Sequence, residues 1–258
     1  MKFRFKAPNQ ADQPDGRNNV DFRLIPSLGE MILPRWLSAN VMAPEVTNMS
    51  KAKNHLVYQF KITLYEIEPC IWRRIQVPAK YSFWDFHVAI QDAMGWLDYH
   101  LHAFRFRPKH KRKSVEIGIP GDDYDDIDVI PGWEVPIVDH FTEPGQTIEY
   151  EYDFGDSWYH EILFEGILLK TKGEKYPKCL AGERACPPED CGSVDGYYRI
   201  ISILQDPNHS EYEEHVEWLK GHAKNYHPYK PDEFNPEKVN FDNPRQRWKY
   251  AFSQDSKG

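Results

Sequence analysis

With 258 residues, 40% of them hydrophobic and 14% aromatic, the chain can bury one real core and is too apolar to be disordered throughout. Its net charge of −8 opposes broad electrostatic attraction to nucleic acid or to an anionic membrane, leaving only a local basic patch for such work. No run approaches the ~18 consecutive apolar residues of a membrane span, and Met1–Gln10 lacks the apolar centre of a signal peptide, so a soluble, cytoplasmic protein with no membrane partner is expected.

Residues 1–50 show no sustained hydrophobic period and carry scattered Pro26, Pro34 and Pro44, which predicts a loosely structured N-terminal arm. Met49-Ser50-Lys51 has the look of a second start, so residues 1–48 are either an appendage or outside the native product. A main domain is placed at 51–242. Leu56, Tyr58, Phe60, Ile62 and Leu64 alternate with Gln59, Lys61 and Thr63, the period of a half-buried strand. Glu68-Pro69 breaks it and Ile71–Val77 reads as the partner of an antiparallel hairpin, with Arg73 and Arg74 near its base. Ser82 and Asp85 form a capping-box signature ahead of Phe86, Ala89, Ile90, Ala93 and Met94, which recur at helical spacing until Gly95.

A third strand is predicted over Leu101–Arg107, with His102, Phe104 and Phe106 on one face. A basic run, Lys109–Lys113, and an acidic one, Asp122–Asp128, follow as solvated loops. Trp133–Val138 reads as a short strand, and Gln146–Phe154 with Trp158–Leu169 as a hairpin turning at Phe154-Gly155-Asp156, where Gly155 is expected to take positive φ. After Pro177 the texture becomes a Cys-, Pro- and Gly-rich loop up to Gly192. Helices are predicted over Val194–Gln205 and Glu211–Ala223, the second capped by Ser210 with Glu213. Residues 243–258 form a helical tail beginning at Asn243-Pro244.

Two groups of residues can carry chemistry. Asp153, Asp156 and His160 surround the break at Gly155, which either serves a tight turn or aims polar side chains into a cleft as catalytic groups. His100 and His102 lie two apart on one face, and with Asp156 and His160 they offer the mixed nitrogen and oxygen set that suits a divalent metal. The bland alternative has both histidines bonding to backbone carbonyls beside Trp96 and Tyr99. Cys179, Cys186 and Cys191 form the second group, a zinc site if a histidine or Cys70 supplies a fourth ligand, otherwise buried thiols or a labile disulfide. Glu189 and Asp190 either add carboxylates or cap the helix near Val194. No nucleophile elbow, phosphate-cradling loop or dinucleotide fingerprint is present in the sequence.

The order Tyr58-Gln59-Phe60-Lys61-Ile62, Ile71-Trp72-Arg73-Arg74, Gly95-Trp96, His100-Leu101-His102-Ala103-Phe104, Tyr152-Asp153-Phe154-Gly155-Asp156-Ser157-Trp158-Tyr159-His160 and Cys186-Pro187-Pro188-Glu189-Asp190 resembles the plasmid pRiA4b ORF-3-like family. The resemblance runs from about Leu56 to Phe241 and implies an α+β domain; members also carry a resolvase name and an association with insertion elements, which does not establish chemistry. In similar proteins the position of Cys191 is often not cysteine, which weighs against a three-cysteine zinc site.

The expectation is therefore an α+β fold, a largely antiparallel sheet with helices packed on one face. As function it gives a binding or interaction module with a protein partner, mobile-element-associated. One rival is a metal-dependent enzyme holding a divalent metal such as zinc. The other is a nucleic-acid-binding protein acting through Arg73, Arg74 and Lys109–Lys113.

Overall fold

The alternation that begins at Leu56 builds strand β1 (Leu56–Leu64), in which Tyr58, Phe60, Ile62 and Leu64 are buried while Gln59, Lys61 and Thr63 turn outward. The computed structural model describes residues 54–106, 115–120 and 129–252, so the N-terminal arm and the basic and acidic runs lie outside the described residues. Strand β2 (Trp72–Pro78) pairs antiparallel with β1, as the hairpin pattern predicts. Helix α1 (Phe83–Met94) opens with the expected capping box and closes at Gly95, whose φ of 93° a side chain would resist.

The chain continues through β3 (His102–Phe106), β4 (Val115–Gly118), β5 (Val129–Pro131), β6 (Thr147–Tyr152), β7 (Trp158–Leu169) and β8 (Lys178–Glu183). These eight strands make one sheet in the order β5-β4-β3-β6-β7-β1-β2-β8, antiparallel except where β5 lies parallel to β4. Helices α2 (Ser193–Gln205), α3 (Tyr212–Gly221) and α4 (Pro244–Phe252) complete the α+β architecture. Among the described residues, no helix is long and apolar enough to cross a membrane.

Helix α1 lies across the inner face of the sheet. Phe86 packs 4.5 Å from Phe60, and Phe83 packs 5.0 Å from Phe104. Each such ring, taken wholly from water, stabilises the fold by about 1.5–3 kcal/mol. Tyr197 of α2 joins the same buried cluster, whereas α3 packs on α2. The outer face is polar. Between Gln59 and Phe60 the β1–β7 register slips by one residue, and the extra residue, Glu165, takes a bidentate grip on Arg74 at 2.8 Å and accepts from Gln59 Nε2.

Several sequence expectations are corrected. Trp133–Val138 is a turn, a lone bridge between Ser82 and Pro136, and a 3-10 turn at Ile137–Asp139, because Pro136 cannot sustain a ladder. Strands β4 and β5 went unpredicted; each is short, and β5 ends on Pro131 at the sheet edge. Lys178–Glu183, read as loop, is edge strand β8; its only partly buried side chains and a register slip at Arg74/Ile75 hide any alternation. Glu211 rather than Ser210 precedes α3, with no side-chain cap. Helix α2 starts from Gly192, also without a side-chain cap, so neither Glu189 nor Asp190 caps it.

Candidate metal centre

Strand pairing sets the site's position. His102 at the start of β3 lies opposite Tyr152 at the end of β6, which lies opposite Trp158 at the start of β7, so residues 95–101 and 153–157 emerge side by side. Residues 184–192, between β8 and α2, close over them.

In the second of these loops the backbone turns because Asp153 folds onto its own successors. Its Oδ1 accepts from the amides of Gly155 (2.9 Å) and Asp156 (3.3 Å), and its carbonyl accepts from Ser157 N at 2.6 Å. The turn falls where the sequence predicts it, yet the left-handed residues are Asp153 (φ 59°) and Ser157 (φ 55°), not Gly155. Glycine is favoured at 155 for another reason: a Cβ there would meet Asp153 Oδ1 at 3.2 Å. Left-handed backbone at two residues with side chains costs about 1–2 kcal/mol each, strain of the kind found at functional sites.

Residues 184–192 are fastened by Glu189, whose carboxylate is buried. One oxygen accepts a short hydrogen bond from Tyr152 Oη–H and the other accepts from Leu97 N at 2.7 Å. Trp96 Nε1 donates to Pro187 O at 3.0 Å, and Glu189 N donates to Tyr226 Oη. Burial first, then the Glu189 contact, raises the Tyr152 phenol and keeps it a donor. Asp190, next in sequence and itself left-handed at φ 59°, is thereby held over the other loops.

His100, Asp153 and Asp190 converge there. His100 Nε2 lies 3.0 Å from Asp190 Oδ1 and 3.6 Å from Asp153 Oδ2. Although the first distance is that of a hydrogen bond, the direction is not, and among the described residues this buried nitrogen has no hydrogen-bond partner. With Oδ1 of Asp153 spent on backbone amides, Oδ2 is free to face the imidazole. Among the described residues, this is the one group of three potential ligands whose donor atoms all lie within 4.8 Å of one another. Ligands at about 2.0–2.2 Å from a common cation sit about 3.0–3.5 Å apart, close to the spacing of these atoms.

The other residues singled out from sequence are placed elsewhere. Asp156 Oδ2 accepts from Gly192 N at 3.1 Å, tying the turn to the start of α2. His160 shares an inner sheet face with His102, but the ring of Tyr150 stands between them, 5.3 Å from one and 6.1 Å from the other. His160 is buried, its Nδ1 facing Tyr150 O at 3.3 Å, and burial pushes its imidazole down to about 4. His102 stacks at 3.4 Å on His87, a residue the sequence did not single out; burial and then that neighbour hold it neutral.

Cys179, Cys186 and Cys191 belong to no such group of three, and Cys70 is a free thiol with them. Burial raises the Cys179 and Cys191 thiols and pushes Cys186 up to about 12. Arg73 is buried and donates to Ala93 O, Trp72 O and Glu183 O, while Arg74 is paired with Glu165.

A family model described as plasmid pRiA4b ORF-3-like protein matches residues 56–238. The chain belongs to the plasmid pRiA4b ORF-3-like family. Similar to it is "Uncharacterized protein y4hQ" of Sinorhizobium fredii, 34% identical over 163 residues, which are 63% of this chain and 80% of that protein. A crystal structure described as a protein of unknown function, MM3350, from Methanosarcina mazei Go1, is 39% identical with a TM-score of 0.63, covering 72% of this chain and 99% of that one. The span matched to the pRiA4b ORF-3-like family holds His100, Asp153, Glu189 and Asp190 and ends before α4.

Asp190, which meets His100, and Glu189, which anchors the loop, are residues that sequence reasoning weighed only as extra carboxylates or caps. The available signal was the pair Pro187-Pro188, which stiffens the backbone just before them.

Proposed function

We propose that the protein is a metal-dependent enzyme whose divalent cation is held by His100, Asp153 and Asp190. The observation that carries this reading is the buried His100 Nε2 facing carboxylate oxygens of Asp153 and Asp190 at 3.6 and 3.0 Å without hydrogen-bonding to either, a disposition in which the three donor atoms can share one cation. One imidazole and two carboxylates suit Zn²⁺ or Mn²⁺. Three protein ligands at a partly exposed position are the pattern of a catalytic rather than a closed structural site, which favours an enzyme over a passive binding module. A cation bound so would polarise a substrate oxygen or acidify a bound water.

The neighbouring recess of about 210 Å³ supports the same reading, since Asp190 lines it together with Cys191, Arg199, His215 and Trp218. His215 Nδ1 must donate to Glu211 O at 3.0 Å, because a carbonyl only accepts. In the neutral ring this leaves Nε2 as the nitrogen with the lone pair, the one that could act as a general base.

Calorimetric titration of Zn²⁺ and Mn²⁺ into protein purified without a histidine tag tests this. Saturable binding is expected, weakened at least about tenfold by His100→Ala and by Asp190→Asn, with unfolding midpoints near wild type because both side chains are partly exposed. Absence of saturable binding in the wild type, or wild-type affinity retained in both variants, would overturn the proposal.

A further inference from the structure

Far from the three loops, the first turn of α1, the turn at 132–136 and helix α4 enclose a recess of about 480 Å³. That size lies within the range of small-molecule sites, about 300–1,000 Å³. Its walls are aromatic. Trp133 and Trp248 meet edge to face at 4.5 Å and 72°, and Trp84 stands at 88° to Trp248, 5.4 Å away. Phe252 packs on these indoles, 4.1 Å from Trp248 and 5.5 Å from Trp133, but does not line the recess, so an incoming flat ring would stack on the indole surface that borders the recess while meeting the edge of its neighbour.

Its rim is cationic. Lys80, Arg245 and Lys249 border the recess, and among the described residues none of them enters an ion pair within 4 Å. Of the two acids present, Asp85 is committed to the Ser82 amide in the α1 capping box, and Glu134 is exposed. In a chain of net charge −8, three cations against two carboxylates around one aromatic corner, with Arg245 and Lys80 near enough to Asp85 to favour its charged form, still make a local reversal of sign.

The wall is also fixed in place. Trp84 Nε1 donates to Pro244 O at 3.1 Å, and Arg247 bridges to Asp92 at 2.8 Å and Asp98 at 3.2 Å, which pins α4 against α1. Because the family match ends at residue 238, the Arg245, Trp248 and Lys249 side of the recess lies outside it.

We propose that this recess is a binding site for a small ligand combining a planar aromatic ring with an anionic group, of the nucleoside monophosphate class. The ring stacks in the Trp133–Trp248 corner and the phosphate meets Lys80, Arg245 and Lys249. The site is independent of the metal centre.

Titration of the full chain with adenosine 5′-monophosphate, followed by tryptophan fluorescence and by calorimetry, tests it. Saturable quenching is expected below about 1 mM, with adenosine alone and ribose 5-phosphate alone each at least about tenfold weaker, since each lacks one half of the recognition. Arg245→Glu and Lys249→Glu, both exposed changes that leave the core intact, should each weaken binding by about tenfold or more, and Trp248→Ala should abolish the quench. A short single strand that binds more tightly than the mononucleotide, with the same losses in the same variants, would support the site and identify its source as nucleic acid. No saturable binding of either probe, or affinities unchanged in Arg245→Glu and Lys249→Glu, would overturn it.

Discussion

Glu189 is where fold and site are joined, and its removal has a calculable cost. In Glu189→Ala the buried Tyr152 hydroxyl and Leu97 amide both lose their acceptor. Each buried donor left unsatisfied costs about 1–3 kcal/mol, so the variant should be destabilised by about 2–6 kcal/mol. For a domain of this size that corresponds to a fall in Tm of about 4–24 °C. Glu189→Gln retains the shape and one acceptor: its amide oxygen can still serve Leu97 N, but its NH₂ must then face Tyr152 Oη, which already accepts from Tyr99 N at 3.0 Å. Only the tyrosine proton is orphaned, so the loss should be about half that of alanine. Thermal and urea unfolding of both variants checks the order. An alanine variant within about 2 °C of wild type, or a glutamine variant as damaged as alanine, would refute the reasoning.

A Cβ at Gly182 would meet Phe234 Cε1 at 2.5 Å, Trp72 O at 2.7 Å and Arg73 Cδ at 2.9 Å, so Gly182→Ala should cost at least about 2 kcal/mol in urea unfolding. Gly155→Ala, with one contact at 3.2 Å and no positive φ, should stay within about 1 kcal/mol while displacing Asp153 and weakening the proposed metal binding; a larger loss at 155 than at 182 would count against both accounts. His160 titrates at about 4 in the folded protein because burial disfavours its charge, against an ordinary 6.5 when unfolded. The unfolded chain therefore binds the extra proton first, and the stability this group contributes above pH 6.5 is lost as pH falls toward 4. His160→Phe should flatten the stability profile by about 1.4 kcal/mol per pH unit across that window, and parallel wild-type and variant profiles from pH 7 to 5 would show that the histidine is not held neutral.

Where side chains repeat with a strong local period, the sequence alone was sufficient. The alternation from Leu56 to Leu64, the Ser82–Asp85 capping box and the placement of the turn after Tyr152 all appear in the fold as read, because each rests on contacts within a few residues of itself. Short edge strands did not declare themselves. Strand β8 has only a partly buried surface and exists because β2 presents an unpaired edge, information held by residues a hundred positions away.

The site divides the same way. His100 and Asp153 could be suspected from their residue types beside a predicted strand start and strand break. Which histidine meets which carboxylate could not, since His102 and His160 differ from His100 only in what the completed sheet and α1 pack against them. Asp190 enters because Glu189, ninety-two residues from Leu97 in sequence, finds its hydrogen-bond donors only when the loops have met. Chemistry-bearing residue types are a local property and can be read along the chain; their convergence depends on strand order and burial, and only the tertiary structure decides it.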